Sequence, residues 1–337
     1  MASSLRELEG SVMATPEQFV REVVSQCKPV VMRNVVAHWP AFKAAATSPH
    51  ALKEYLAGFD AGRETDVFFG PPGIHGNYFY SSDMNGFNFE KRLMRFSDAV
   101  DTVIATIGQP DKPSVYAGSV PANVYLPGFS TQNGLPFLKS SVAPRLWIGH
   151  ASVVSSHFDA YDNVACVIAG KRRFTLFPPE AISCLYVGPI DNTMAGQPVS
   201  LAASSPHDPE KYPLFDKVRD KAIIIDLDAG DALYLPKLWW HKVESLSPFN
   251  GLVNYWWDAY AYGPDAPYTS LLLSMITIAE RPIAERMAWR NFFDHYVFRN
   301  DGHPLRHLPP EKHGLLGPLK DNYGKIRAVV MQLLRGA

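Results

Sequence analysis

The stretch from Arg145 to Trp257 constrains the fold most. It is a succession of short runs rich in Val, Ile, Phe, Tyr and Trp, broken by Gly, Pro and Asp, and it demands a β-rich core. Gly230-Asp231-Ala232-Leu233-Tyr234-Leu235-Pro236 reads as a turn leading into a strand. Residues 191–220 carry five prolines or glycines and read as an insertion between strands. Helical patterns flank this core. Thr15 can cap a helix that starts at Pro16, with Gln18 placed to close a capping box and Phe19, Val20, Val23 and Val24 on its apolar face. Residues 28–33 read as a strand entered through a proline, 51–58 and 96–107 as helices, and 66–69 and 114–120 as strands. Beyond Pro267, residues 271–279, 283–293 and 324–334 follow helical spacing. The expected organisation is a helix-and-strand region over 1–110, a β core over 111–260 and a helical region over 261–337. No internal repeat is visible.

The 337 residues are 47% apolar, ample for a large buried core. Only 19% are charged and the formal net charge is -1, so no global field draws the chain to nucleic acid or to an anionic membrane. Cys27, Cys166 and Cys184 lie far apart without a CxxC, as in a reduced compartment. Met1 to Glu9 carries acidic residues and no long apolar core, unlike a secretory signal, and no apolar run approaches the ~20 residues of a membrane span. The expectation is a cytoplasmic protein without nucleic-acid or membrane partners.

Within the β region stands His157-Phe158-Asp159, and far downstream His241 in Trp239-Trp240-His241-Lys242-Val243-Glu244-Ser245. On a strand, successive side chains alternate faces, so His157 and Asp159 point the same way. A third imidazole from a distant strand completes two histidines and one carboxylate, the facial set that holds non-haem Fe(II) and leaves other positions open. The motif alone is short, and most of the 11 histidines of such a chain serve surface or structural roles.

The surrounding motifs arrive in one order: Asn163, Gly170-Lys171-Arg172-Arg173-Phe174-Thr175-Leu176-Phe177-Pro178-Pro179, the Gly230–Pro236 turn, Trp239-Trp240-His241, and Asn254-Tyr255-Trp256-Trp257. In this order they resemble the JmjC, or cupin-like, family of Fe(II)- and 2-oxoglutarate-dependent oxygenases. The pattern is similar to the branch with the asparaginyl hydroxylase acting on hypoxia-inducible factor and its bacterial relatives. Lys28-Pro29-Val30-Val31 and His38-Trp39-Pro40 fit the N-terminal strand and turn of that family.

The resemblance implies a double-stranded β-helix, a jelly-roll of two facing sheets with the metal at its mouth. It implies His157, Asp159 and His241 as ligands of Fe(II), 2-oxoglutarate as cosubstrate, O2 as oxidant, and hydroxylation of a C–H bond. The substrate would be a protein or peptide side chain, with a small molecule as the alternative; a cupin-like module that binds without turnover is the third reading. The far carboxylate of 2-oxoglutarate needs a cation. The family places a lysine fifteen residues after the first ligand, and here Arg172 stands there with Lys171 beside it. Strand alternation puts Arg172 with Phe174 and Leu176, and Lys171 with Arg173 and Thr175. Tyr116 could donate to the same carboxylate, and Asn163 and Asn254 match amides near the metal and cosubstrate. A family threonine three residues before the first ligand is Val154 here, so that donor is missing or replaced by Ser155 or Ser156. Residues 70–88, rich in Gly, Pro, Asn and aromatics, read as a lid or rim, and 123–133 as further rim. In the same branch C-terminal helices build a homodimer; here Leu271, Leu272, Met275, Ile278, Ile283, Met287 and Trp289 would supply its apolar faces.

Overall fold

A computed structural model describes residues 5–9, 13–194, 196–204 and 206–336; the first four residues of the Met1–Glu9 stretch lie outside them. The described residues fall into two compact units, one ending at Ala259 and the other beginning at Tyr260. No helix among them is long and apolar enough to cross a membrane.

The first unit holds fourteen strands: β1 (Arg6–Glu9), β2 (Val30–Arg33), β3 (Glu64–Gly70), β4 (Asn77–Tyr78), β5 (Glu90–Arg95), β6 (Ser114–Pro121), β7 (Pro144–Gly149), β8 (Ser152–His157), β9 (Asp162–Ala169), β10 (Arg172–Phe177), β11 (Ile223–Leu227), β12 (Ala232–Leu235), β13 (Trp240–Ser245) and β14 (Asn250–Trp257). Nine of them form one sheet in the order β1-β2-β12-β9-β14-β7-β6-β3-β5, and five form a second in the order β11-β10-β13-β8-β4. Pairing is antiparallel except between β1 and β2 and between β4 and β8. This is the jelly-roll core with flanking helices that the sequence implied.

Strand β9 shows why the core sits where it does. All eight of its residues are buried, the signature of a strand covered on both faces. Ala165 and Val167 pack with Phe174, Leu176, Ile225 and Leu227 of the second sheet, which makes the layer between the sheets. Val164, Cys166 and Ile168 point the other way, into a layer shared with Phe19, Trp39, Leu52 and Phe129 from the helical segments. The first helix spans Pro16–Glu22, and the Thr15 hydroxyl accepts from Gln18 N at 3.2 Å. Gln18 reaches back to Ala14 N rather than to Thr15 N, so the box closes one residue early.

The Gly230–Pro236 motif is explained by Asp231. Its buried carboxylate accepts from Asn34 N (3.0 Å), Asp228 N (3.2 Å) and Arg33 Nη1 (2.8 Å), pinning β2 to the turn before β12. Gly170, at φ +72°, turns β9 into β10; a Cβ there would stand 2.5 Å from Asn250 Oδ1 and 2.7 Å from Phe249 O. Only glycine accepts both that backbone angle and that approach.

In the second unit, helices span Pro267–Ile278, Ile283–Phe293 and Leu319–Arg335. Asp265 accepts from the Tyr323 hydroxyl and from Arg327 Nε (3.0 Å), tying the start of the unit to its last helix. Leu271, Leu272, Met275, Ile283, Met287 and Trp289 are exposed.

Candidate active site

His157 and His241 are directly opposite each other on β8 and β13, with ring centroids 4.3 Å apart. Strand β8 ends at His157. Asp159 therefore lies in the loop beyond it, two residues later, rather than on the strand. Phe158 between them packs on Trp240 (5.0 Å), and Leu238 N donates to Asp159 O (2.8 Å), so the loop is held where strand alternation would have aimed it. One donor atom from each of His157, Asp159 and His241 lies within 4.8 Å of the others. The His241 Nε2 to Asp159 Oδ2 separation is 3.7 Å. Neighbouring ligands about 2.1 Å from a shared ion stand roughly 3 Å apart, a spacing this pair approaches.

The tautomers are set by the main chain. His157 Nδ1 sits 2.8 Å from Ser155 O and His241 Nδ1 3.0 Å from Trp239 O. A carbonyl oxygen only accepts, so each Nδ1 carries a proton, which leaves Nε2 as the atom to offer a metal. Burial holds the His241 imidazole well below its ordinary pKa, hence neutral. Trp256 Nε1 donates to Asp159 Oδ2 at 3.1 Å, orienting the carboxylate. Burial raises the Asp159 pKa, with His157 and this indole opposing it. Two imidazoles, one carboxylate and a converged geometry fit Fe(II).

These side chains face a cavity of about 340 Å³ between the sheets. Arg172 is in its wall, 2% exposed, and neither its Nε nor its Nη2 has a hydrogen-bond partner. It interacts with the Tyr116 phenol, which burial pushes up to about 12 while Arg172 pulls it back. Burial lowers the Arg172 pKa and Tyr116 opposes that; a guanidinium stays charged even so. A buried cation with two unpaired N–H groups is costly unless an anion arrives, and a carboxylate such as one of 2-oxoglutarate would satisfy both groups. Tyr116 is seated by two glycines: a Cβ on Gly149 would stand 2.8 Å from its Cδ2, and one on Gly118 would stand 2.9 Å from its Cε1.

Of the residues singled out from sequence, His157, Asp159, His241, Arg172, Tyr116, Asn163 and Asn254 all line this one cavity. Asn254 accepts from Trp147 Nε1 (2.6 Å) and donates to Asn163 Oδ1 (3.2 Å), so the two amides form one chain across β7, β14 and β9. Lys171 is not brought there. It points outward and pairs with Asp228 at 2.9 Å, both side chains two-thirds exposed. Arg173, on the same outer face, pairs with Asp226. Residues 123–133 do not form rim either: Phe129 is in the core, and buried Asn133 serves Ala41 N, Phe129 O and the Tyr255 hydroxyl. Val154 lines the cavity where the family threonine would stand, and the neighbouring Ser155 hydroxyl is spent on Tyr78 O (3.1 Å).

Residues 70–88 do reach the site, through Tyr78, and Phe89 just beyond them joins it. They meet an unforeseen partner. Met194 and Val199, from the insertion between strands, pack with Tyr80, Phe79, Met84, Phe87 and Phe89. Asn192 binds this roof twice, accepting from the Tyr80 hydroxyl and donating to Met84 O. Arg145, Ser119 and Trp147 also line the cavity and were not assigned from sequence. An isolated arginine on a strand gives no signal that it faces inward.

Fold and site define the class of Fe(II)- and 2-oxoglutarate-dependent oxygenases. The chain belongs to their JmjC-type, cupin-like family; the cupin-like domain matches residues 16–261. Among curated relatives it is 28% identical over 289 residues to the Arabidopsis thaliana lysine-specific demethylase JMJ32, covering 74% of this chain and 82% of that one. It is 27% identical over 278 residues to the human bifunctional peptidase and (3S)-lysyl hydroxylase JMJD7, covering 72% and 81%. To the Drosophila melanogaster Jumonji C domain-containing protein 5 it is 27% identical over 256 residues, 72% of this chain but 57% of that protein, so it spans little more than half of the fly relative.

Proposed function

We propose that this chain hydroxylates a C–H bond of a protein or peptide side chain, with 2-oxoglutarate as cosubstrate. His157, Asp159 and His241 hold the iron; Arg172 and Tyr116 take the far carboxylate of 2-oxoglutarate; Asn163 and Asn254 steady the cavity wall beside them. With Fe(II), 2-oxoglutarate and O2 bound, the site supplies a strong oxidant for C–H bonds while the cosubstrate becomes succinate and CO2. The protein's own part is to fix three ligand atoms on one side, hold each imidazole by its Nδ1–H and exclude water from the apolar roof.

The single observation that carries this reading is Arg172, a buried cation with unmet hydrogen bonds in the same cavity as the triad. A polymer substrate is favoured by size. About 340 Å³ lies near the lower end of ligand pockets, enough for the cosubstrate and one inserted group, with the rest of the substrate outside. The names of the plant and human relatives also point to chemistry on protein side chains. A cytoplasmic location and a homodimer built through the exposed helices of the second unit belong to the same reading, and light scattering of the purified chain tests the dimer.

The test is incubation with Fe(II), 2-oxoglutarate, air and a proteome-derived peptide mixture. Substrate-dependent succinate together with a gain of one oxygen on a peptide is the expected result. Formaldehyde release with loss of a methyl group would replace hydroxylation by demethylation, and no succinate at all would favour a binding module.

A further inference from the structure

Arg145 is a second cation in the cavity wall, and neither metal nor cosubstrate accounts for it. On β7 it pairs in register with Asn254 of β14. Its Nε donates to Ser119 Oγ at 2.7 Å and its Nη2 to Ser119 O at 3.1 Å, while the guanidinium lies 5.4 Å from the centre of the Trp256 ring. Ser119 is placed for this by a bulge. The register between β6 and β7 shifts between Ala117 and Val120, and Ser119 adopts φ +57°, a left-handed conformation that β-sheet serines rarely take. A bulge of this kind re-aims side chains, and here it presents both Ser119 oxygens to one guanidinium.

Arg145 makes no ion pair with an acidic side chain among the described residues, and its Nη1 makes no protein hydrogen bond there. Burial lowers its pKa, with no acid to offset the cost. The charges of the cavity make the same point. Asp159 is its one acidic wall residue among the described residues. With Fe(II) and a dicarboxylate bound, Asp159 and the two carboxylates cancel three of the four positive charges of Fe(II), Arg172 and Arg145. One positive charge is left, in a partly desolvated site where it acts strongly. Its fork is half used and half free, so it can still bind a carboxylate while Ser119 holds its orientation.

We propose that Arg145, held by Ser119 and set over the Trp256 ring, is a specificity-determining residue that selects substrates carrying a carboxylate near the target group, such as an acidic peptide. This rests on the oxygenase reading. It makes Trp256 a link, since the indole supports the substrate-facing cation with its ring and the metal ligand Asp159 with its N–H.

The experiment uses the full chain loaded with Mn(II), which does not turn over, and 2-oxoglutarate. Two synthetic random octapeptide pools are compared by affinity selection and mass spectrometry, one with Asp and Glu at the variable positions and one with Asn and Gln. The wild-type protein should retain the acidic pool at least fivefold over the amide pool. Arg145→Lys should keep the preference, and Arg145→Glu should reverse it toward a third pool bearing Lys, a reversal that loss of a merely structural contact would not produce. Equal retention of the acidic and amide pools by the wild type, or an unchanged preference in Arg145→Glu, overturns the proposal. Calorimetric titration of 2-oxoglutarate on the same samples separates the roles. Arg145→Glu binding 2-oxoglutarate like the wild type supports substrate recognition, whereas loss of 2-oxoglutarate binding in that variant assigns Arg145 to the cosubstrate and overturns it. If the wild type itself fails to bind 2-oxoglutarate, the oxygenase reading falls, and the pool preference is then read on the metal-free protein. Should Arg145→Glu not fold, the wild-type preference and its retention in Arg145→Lys decide.

Discussion

Replacing Arg172 by methionine should make the metal-free protein more stable while removing most of its affinity for 2-oxoglutarate. The guanidinium is 2% exposed, and its Nε and Nη2 have no partner. Each buried, unsatisfied donor costs about 1–3 kcal/mol, so the two together cost roughly 2–6 kcal/mol. Methionine gives up the interaction with the Tyr116 phenol, a loss of about 1.5–3 kcal/mol. It keeps an unbranched apolar stem against Phe174, which lines the same cavity. The net gain is on the order of 2 kcal/mol, or roughly 4–8 °C in the midpoint of the first unit. For the cosubstrate the sign reverses. Removing one partner of a buried charge pair costs about 2–5 kcal/mol, so Kd should rise on the order of a hundredfold or more. Thermal melts without metal and calorimetry with Mn(II) and 2-oxoglutarate read the two effects on the same protein. A destabilised Arg172→Met variant that binds 2-oxoglutarate like the wild type would refute the reasoning, because Arg172 would then be a structural residue.

Three further outcomes follow from named contacts. Trp256→Phe removes the indole N–H from Asp159 Oδ2 but keeps a ring; metal affinity should fall about 10–100-fold, measured by competition with a fluorescent chelator, with circular dichroism unchanged. Lys171→Ala, which breaks only an exposed pair with Asp228, should change neither the melting temperature nor 2-oxoglutarate affinity measurably. Asp231→Ala strands Asn34 N and Asp228 N and removes the carboxylate from Arg33 Nη1, which keeps only Asp226 O; denaturant unfolding should show a loss of roughly 3 kcal/mol, while the metal affinity of the folded fraction is kept.

The sequence made the central strands and the convergence of the site readable for the same reason. Strands β9, β10 and β12 are buried on one or both faces, so apolar runs and alternation record where they sit. Arg172 could be placed inward beside Phe174 and Leu176 by parity alone, and its outward neighbours Lys171 and Arg173 followed. The edges of the large sheet were not readable. β1 (Arg6-Glu7-Leu8-Glu9) and β5 (Glu90-Lys91-Arg92-Leu93-Met94-Arg95) are charged and mostly exposed, as edge strands that must resist pairing with other chains tend to be, so neither shows a strand pattern. Asn133 was misplaced to the rim because a buried asparagine that satisfies main-chain groups looks, in sequence, like a loop asparagine. The roof over the cavity joins residues 78–89 to 192–199, more than a hundred positions apart. Such a contact is set by tertiary packing, to which local composition is blind. Arg145 was missed for the same reason: its place depends on the bulge at Ser119 in another strand.

One ferrous ion shared by His157, Asp159 and His241 beside the Arg172 pocket is what the proposed chemistry requires. Anaerobic titration of the purified chain with Fe(II) and then 2-oxoglutarate tests this most directly. The prediction is a weak visible charge-transfer band that saturates at one iron and one 2-oxoglutarate per chain and is lost in His241→Ala. No band in the wild type under saturating Fe(II) and 2-oxoglutarate, or a band that survives unchanged in His241→Ala, would contradict it.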